Sequence, residues 1–304
     1  MSGSRISMKA LIGGVLLSAV IAAPAVAQQN FDNVQIKAEE LADGIYMLTG
    51  AGGNIGVSAG EDGVFLIDDQ FAPLTGKIVA AVKEISDEPI RFVLNTHWHQ
   101  DHTGGNENLG NMGVTIVAHD NVRAVLSKDQ FLAAFNRQVT AAPAIALPKI
   151  TFNDTATFHL NEQTIRVTHL PNAHTGGDSF VQFVEADIIH TGDTFFNGFY
   201  PFIDVQNGGS VDGMIAAADT ILEIAGPDTV IIPGHGPVSD RDGLMAFRDM
   251  LKAVRANVAA AMDGGKSVED VVAAKPTSVT DAKWGNGFLK PDRFTQIVYS
   301  DLAR

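Results

Sequence analysis

The ten residues THWHQDHTGG, positions 96–105, constrain this chain more than any other stretch, because three histidines and an aspartate fall within six positions. His97 and His99 stand two apart, so an extended backbone turns both rings to the same side. Asp101 and His102 follow on a turn that Gly104 and Gly105 permit. One short loop can therefore aim four donors at one point. The apolar run RFVLN just before it reads as the buried strand that carries them there.

Three further stretches repeat the arrangement, each with a metal-competent residue just beyond an apolar strand. They are His174 in HLPNAHTGGDS, Asp193 in IIHTGDTFF and His235 in VIIPGHGPV. Strand ends along one edge of a sheet are where α/β architectures gather reactive groups. The chain has no cysteine, so any metal must be held by nitrogen and oxygen. Any nucleophile must then be a hydroxyl, a carboxylate or a metal-bound water.

Hydrophobic periodicity gives the surrounding scaffold. GIYMLTG, NIGVSAG and GVFLIDD are short β-rich runs separated by glycines and predict a meander. Apolar residues at helical spacing predict a helix over residues 73–85, followed by the strand that enters the histidine loop. VTIVAHD predicts another strand and residues 121–138 another helix. In the second half TIRVTHL, SFVQFVE, DIIHTGD and TVIIPGH predict strands, with helices over 211–224 and 239–262. Gly264 and Gly265 end the last of these, and Ser267 with Asp270 resembles the start of a further helix. Two comparable β-rich halves result. No Pro/Ser-rich linker or charge block divides them, so residues 28–304 read as one domain.

With 45% hydrophobic and 18% charged residues the chain has an ordinary globular composition. Its formal net charge of -14 argues against a nucleic-acid partner, since no basic field is available to displace counterions from phosphates. The N-terminus differs from the rest. Arg5 and Lys9 precede an apolar run over residues 10–23, and PAVAQQ supplies small residues for cleavage after Ala27. This order is that of a secretory signal peptide over residues 1–27. The run is shorter than the roughly 20 apolar residues a spanning helix needs. The expected location is thus the periplasm or the exterior, with no stable membrane insertion after cleavage.

H-x-H-x-D-H followed by separate His, Asp and His motifs, in that order, is the pattern of the metallo-β-lactamase superfamily, which this sequence resembles from about residue 44 to 235. All seven positions are filled. The resemblance implies an α/β fold of the αββα type, two sheets back to back with helices outside and metals at one edge. It implies two Zn²⁺ ions per chain, one held by His97, His99 and His174, the other by Asp101, His102 and His235, with Asp193 bridging. Asp68, in FLIDDQ, matches an aspartate that the family keeps at the end of an early strand, where it would orient the histidine loop by hydrogen bonds. Asp is also common in turns that end strands.

The implied chemistry is metal-assisted hydrolysis of a small-molecule carbonyl compound, by a hydroxide held between the metals. Asp101 doubles as a catalytic residue that orients the hydroxide and passes its proton onward. Export favours a cyclic amide or ester, a β-lactam or a lactone. Branches with a cysteine at the second metal match poorly, and the bridging aspartate is shared with glyoxalase II, whose thioester hydrolysis is one alternative. The long C-terminal domain typical of glyoxalase II is lacking. Another alternative is a persulfide dioxygenase with one iron, and a third is a metal-binding protein without catalysis. The aromatic segment after Asp193 offers a pocket wall of Phe195, Phe196, Tyr200 and Phe202, with Trp98 from the metal loop. The same residues would equally serve to pack that loop onto the sheet. His119, His159, His169 and His190 match no ligand motif. If the N-terminal reading is right, protein recovered from a Gram-negative host begins near Gln28 and lies in the periplasm. N-terminal sequencing of fractionated cells checks this, and a cytoplasmic protein starting at Met1 would refute it.

Overall fold

All five residues of the run GVFLI are buried, which requires packing on both faces of the strand they form. Alternation divides them: Phe65 and Ile67 join one hydrophobic cluster, Val64 and Leu66 another. The computed structural model of the chain describes residues 30–132 and 136–304, and the expected signal peptide lies outside them. Residues 31–304 form one compact unit.

Strand β1 (Lys37–Ala42) precedes the predicted meander of β2 (Ile45–Thr49), β3 (Ile55–Gly60) and β4 (Gly63–Ile67), and the four pair antiparallel in sequence order. A 3-10 turn and α1 (Thr75–Ile85) then cross over to β5 (Ile90–Asn95), which lies parallel to β4. After the histidine loop come α2 (Gln100–Thr103), α3 (Asn106–Asn111), β6 (Thr115–His119), α4 (Asp120–Leu126), β7 (Gln130–Leu132), β8 (Arg137–Val139) and β9 (Ile150–Phe152). Sheet order is β1-β2-β3-β4-β5-β6-β9. The second sheet is β10 (Thr155–Leu160), β11 (Gln163–His169), β12 (Ser179–Phe183), β13 (Ile188–His190) and β14 (Val230–Ile232), in that order. Helix α5 (Val211–Ile224) connects its last two strands, which are parallel. Helices α6 (Arg241–Met262), α7 (Val268–Ala273), α8 (Asp281–Trp284) and α9 (Pro291–Leu302) follow.

Three clusters make four layers. Between the sheets, Phe65, Ile67 and Leu94 of the first meet Ile165, Val181 and Ile188 of the second. Outside the first sheet, Leu66, Val93 and Ile116 pack on Ile78 and Val82 of α1. Outside the second, Phe180, Ile189 and Ile231 pack under α5, α6 and α9 through Met214, Phe247 and Phe294. This is the αββα sandwich, an α/β fold.

One expected element is different. The helix foreseen over residues 121–138 ends at Leu126, and a β7–β8 hairpin replaces the rest of its described part. The backbone turns back because the Leu126 carbonyl and the Asp129 carboxylate accept the N–H groups of Ala142 and Ala141, each at 2.8 Å. Leu132 and Val139 then bury against Trp98, Val122 and Leu126. Those apolar residues mimic helical spacing although they reach the same cluster from a hairpin. Strand β1, the edge strands β9 and β10 and the C-terminal helices α8 and α9 also went unforeseen.

Strand direction positions the site. In the first sheet β4 and β5 run the same way and end at Ile67 and Asn95, just before Asp68 and His97. In the second, β11, β13 and β14 share one direction and lead to His174, Asp193 and His235. No helix among the described residues is long and apolar enough to cross a membrane. Phe247 is fully buried between Phe195 and Trp284, at ring separations of 5.2 and 5.8 Å. Phe247→Ala should therefore cost about 3–5 kcal/mol of stability in urea unfolding, through lost transfer free energy and a residual cavity.

Candidate metal centre

Each strand end delivers its side chain for a local reason. Helix α2 begins just after His99, so Asp101 and His102 come off its single turn and face the rings of the preceding segment. Gly53 lets the backbone of the β2–β3 connection lie against this turn, its N–H donating to the Asp101 carbonyl at 3.1 Å. A Cβ at Gly53 would overlap the His102 ring. On the second sheet, Asp193 lies in a 3-10 turn directly after β13.

The seven residues of the pattern converge in two groups. His97, His99, His174 and Asp193 present ligand atoms within 4.8 Å of one another, and so do Asp101, His102 and His235. In the first group His99 Nδ1 stands 3.2 Å from His97 Nε2 and 2.8 Å from His174 Nε2. In the second, His235 Nε2 is 3.3 Å from both His102 Nε2 and Asp101 Oδ2. Asp193 reaches both. Its Oδ2 lies 3.8 and 3.4 Å from Nε2 of His97 and His174, its Oδ1 3.0 and 3.4 Å from Nε2 of His102 and His235.

The inward-facing ring nitrogens are fixed by what the opposite nitrogens bond. His102 Nδ1 lies 2.7 Å from Asp68 Oδ2, His174 Nδ1 2.7 Å from the Phe202 carbonyl, and His99 Nε2 3.1 Å from Asp204 Oδ2. Each acceptor holds the proton on the outer nitrogen and leaves the inner lone pair free. His97 Nδ1 lies 3.1 Å from the Thr96 hydroxyl, and His235 instead stacks its ring on Phe196 at 5.2 Å. Asp68 takes a left-handed backbone conformation, φ 66°. Its carboxylate also accepts the Thr96 N–H at 2.7 Å and hydroxyl at 2.8 Å, so it braces the histidine loop. The structure thus brings Asp68 and all seven pattern residues together.

Electrostatics separates the two groups. Burial, reinforced by neighbouring histidines, holds His97 well below the usual imidazole range, and burial holds His174 down at about 4. Burial also opposes charge on His102 and His235, but Asp193 and Asp101 outweigh it, so His102 lies well above the usual range and His235 is pushed up to about 9. Asp101 and Asp193 are in turn held low by these histidines against their burial. Metal fit can be judged from the donors themselves. In the first group the buried His97 and His174 rings stay neutral and bring their nitrogens together with His99, and buried Asp193 Oδ1 completes no hydrogen bond among the described residues despite the nearby nitrogens. Both features suit divalent cations.

The aromatic residues divide. Phe202 lies 5.6 and 5.9 Å from the rings of His99 and His174, and Trp98 lies 4.7 Å from His99. Phe195 and Tyr200 point elsewhere, which corrects their assignment to the pocket wall. Phe195 packs on Phe247, and Tyr200 stacks on Phe294 while its hydroxyl meets Thr280 and Asp281 at 2.6 and 2.8 Å. The backbone bends between them, with Gly198 at φ 97°, so the aromatic run does not line one pocket. Asp204 escaped the sequence reading because nothing in FIDVQN marks it, and its partner His99 is 105 positions away. His119 and His169 stack on each other at 3.7 Å, and His190 bonds the Asn54 carbonyl at 3.1 Å.

These shifts give chelator-treated protein a bell-shaped stability. His102 and His235 bind protons more tightly folded than unfolded, so their contribution is full below about pH 6.5 and is lost as pH rises through about 9. His97 and His174 remain neutral until about pH 4 for His174, whereas the unfolded chain takes up those protons near 6.5, so stability also falls with acid. Melting temperature against pH should peak near neutrality, and a curve flat from pH 6 to 9 would contradict the assignment.

Residues 48–235 match the family model of the metallo-beta-lactamase superfamily. A hydroxyacylglutathione hydrolase from Polaromonas sp. is 27% identical over 222 residues, covering 72% of this chain and 74% of that relative. Among solved structures, a metallo-beta-lactamase from Pontibacter korlensis aligns with a TM-score of 0.58 at 21% identity, over 72% of this chain and 99% of that one. A stereoselective inverting sec-alkylsulfatase from Pseudomonas sp. aligns with a TM-score of 0.66 at 16% identity, over 87% of this chain and 50% of that one. The family match contains the whole seven-residue pattern, and the chain belongs to the metallo-beta-lactamase superfamily.

Proposed function

We propose that this superfamily hydrolase is an exported two-zinc enzyme that adds water to the carbonyl of a cyclic amide or ester, such as a β-lactam or a lactone, and breaks its acyl C–N or C–O bond. The observation that carries the two-metal reading is Asp193, whose two oxygens face different histidine groups at 3.0–3.8 Å. His97, His99 and His174 would hold one ion and Asp101, His102 and His235 the other, with Asp193 shared. When bound, the ions would lower the pKa of a water toward neutrality and polarise the substrate carbonyl.

The chain's own residues supply the rest. Buried His97 and His174 stay neutral and so keep their lone pairs available. Asp204 and Asp68 hold the rings of His99 and His102 at fixed angles. Asp101 is more exposed than Asp193, at 28% against 5% of side-chain surface. Its Oδ2 is therefore suited to accept the proton of the attacking water and release it to solvent. Phe196 and Phe202 pack against the His174 ring, each at 5.9 Å, and help to fix its orientation.

The preference for a cyclic amide or ester follows from export. A second reading, thioester hydrolysis, is favoured by the likeness to hydroxyacylglutathione hydrolase. The discriminating experiment combines elemental analysis with hydrolysis assays on β-lactams, lactones and thioesters. One iron per chain would support the dioxygenase alternative, and metal without turnover the non-catalytic one. Asp193→Ala should retain the ion of the first group, weaken the second and lower kcat by two or more orders of magnitude, which corresponds to about 3 kcal/mol of transition-state stabilisation. Two tightly held zincs with near-normal kcat in that variant would refute the bridging role.

A further inference from the structure

We propose that Phe199 and Phe288 form an apolar wall on the His235 side of the site mouth, and that this wall selects substrates carrying an aryl or alkyl group there. The inference rests on the hydrolase reading for the word substrate, but the wall stands on geometry. From the second histidine group outward, His235 stacks on buried Phe196, Phe199 meets the edges of both at 5.7 and 6.5 Å, and Phe288 meets Phe199 at 6.2 Å. Burial decreases along this line: Phe196 is 1% exposed, Phe199 is partly buried and Phe288 is 58% exposed. A continuous aromatic surface therefore leads from a ligand ring into solvent. Phe199, in the middle of this line, adjoins the more open group, in which the side chains of His235 and Asp101 are 18% and 28% exposed.

An exposed phenylalanine costs little by itself and often has no role. Phe288 is distinguished by how its loop is held. Trp284 and Leu289 on either side are buried at 4% exposure each, and the Trp284 carbonyl accepts the Tyr200 N–H at 2.9 Å. The Tyr200 hydroxyl reaches Thr280 and Asp281 on the same segment. At Gly287 the backbone passes so close to Phe199 that any Cβ would collide with its side chain. The loop is thus fixed against the segment that follows Asp193, which lowers the backbone ordering cost of presenting the Phe288 ring. Two edge-to-face rings beside a polar centre recognise a flat or branched apolar group that is bonded to the reacting carbonyl portion. Neither residue offers a metal ligand, so both act on selection and not on the chemistry.

The test separates the wall from the hydrolase reading by measuring binding without turnover. Zinc-loaded protein is titrated calorimetrically with phenylacetate and with acetate, which share a carboxylate and differ in the ring. Wild type should bind phenylacetate about tenfold more tightly than acetate, the scale expected for burying one aromatic face. Phe288→Ala should reduce that preference to about twofold with acetate affinity and zinc content unchanged, and Phe288→Leu should restore part of it. Equal binding of the two acids by wild type, or an undiminished preference in Phe288→Ala, would overturn the proposal. Assays on acetate and phenylacetate esters run beside the titrations. Failure of wild type to hydrolyse any carbonyl substrate, with the binding preference present and lost in Phe288→Ala, would defeat the hydrolase reading alone.

Discussion

His102 is the point on which the two halves of the molecule depend. Its fully buried ring stands between Asp68 at 2.7 Å, from the end of a first-sheet strand, and Asp193 at 3.0 Å, from the second sheet. A charged or metal-bound imidazole between two buried carboxylates offsets the penalty of taking all three out of water, and removal of any one would leave an uncompensated charge. The same requirement explains why Gly53 sits where a side chain cannot. It also explains the left-handed backbone of Asp68, which turns the carboxylate toward both Thr96 and His102.

Around that link the scaffold is built to keep the strand ends from moving. The core between the sheets is built of apolar side chains, and polar ties fasten the sheets at both ends, Asn161 to Asp62, Ser58 and Gly63 away from the site and Asn54 beside it. Asn54 illustrates this: its side-chain amide donates to the carbonyls of Pro233 and Gly236 at 2.8 Å each, and its carbonyl accepts from His190. The β2–β3 connection of one sheet is thereby fastened to the loop that carries His235. Ring orientation follows the same logic, with outer nitrogens engaged by Asp68, Asp204 and the Phe202 carbonyl. Such pre-organisation lets ligands meet a cation without rearrangement.

The C-terminal helices have a supporting role that the metal motifs do not announce. Phe294 and Trp284 receive Tyr200 and Phe247, and through them the segment after Asp193. Part of that aromatic segment is therefore structural, and part faces the histidines. Burial is the common fate of all four named aromatics, so composition could not divide them. Their tertiary partners did.

The sequence by itself determined which residues could hold a metal, the alternation of strands and helices and the ends of most central elements. Ligand identity is local chemistry, and a fully buried strand such as GVFLI must be apolar at every position whatever its neighbours are. Only the tertiary structure decided which groups face one another. Asp204 reaches His99 across 105 positions, the hairpin after Leu126 takes the place of a helix because its apolar residues find Trp98, and Phe288 meets Phe199 through a loop fixed by distant contacts. Those pairings depend on how strands order and on where loops return. No local pattern encodes such long-range choices, since the free energy that selects them comes from burial and hydrogen bonds made after the chain has closed on itself.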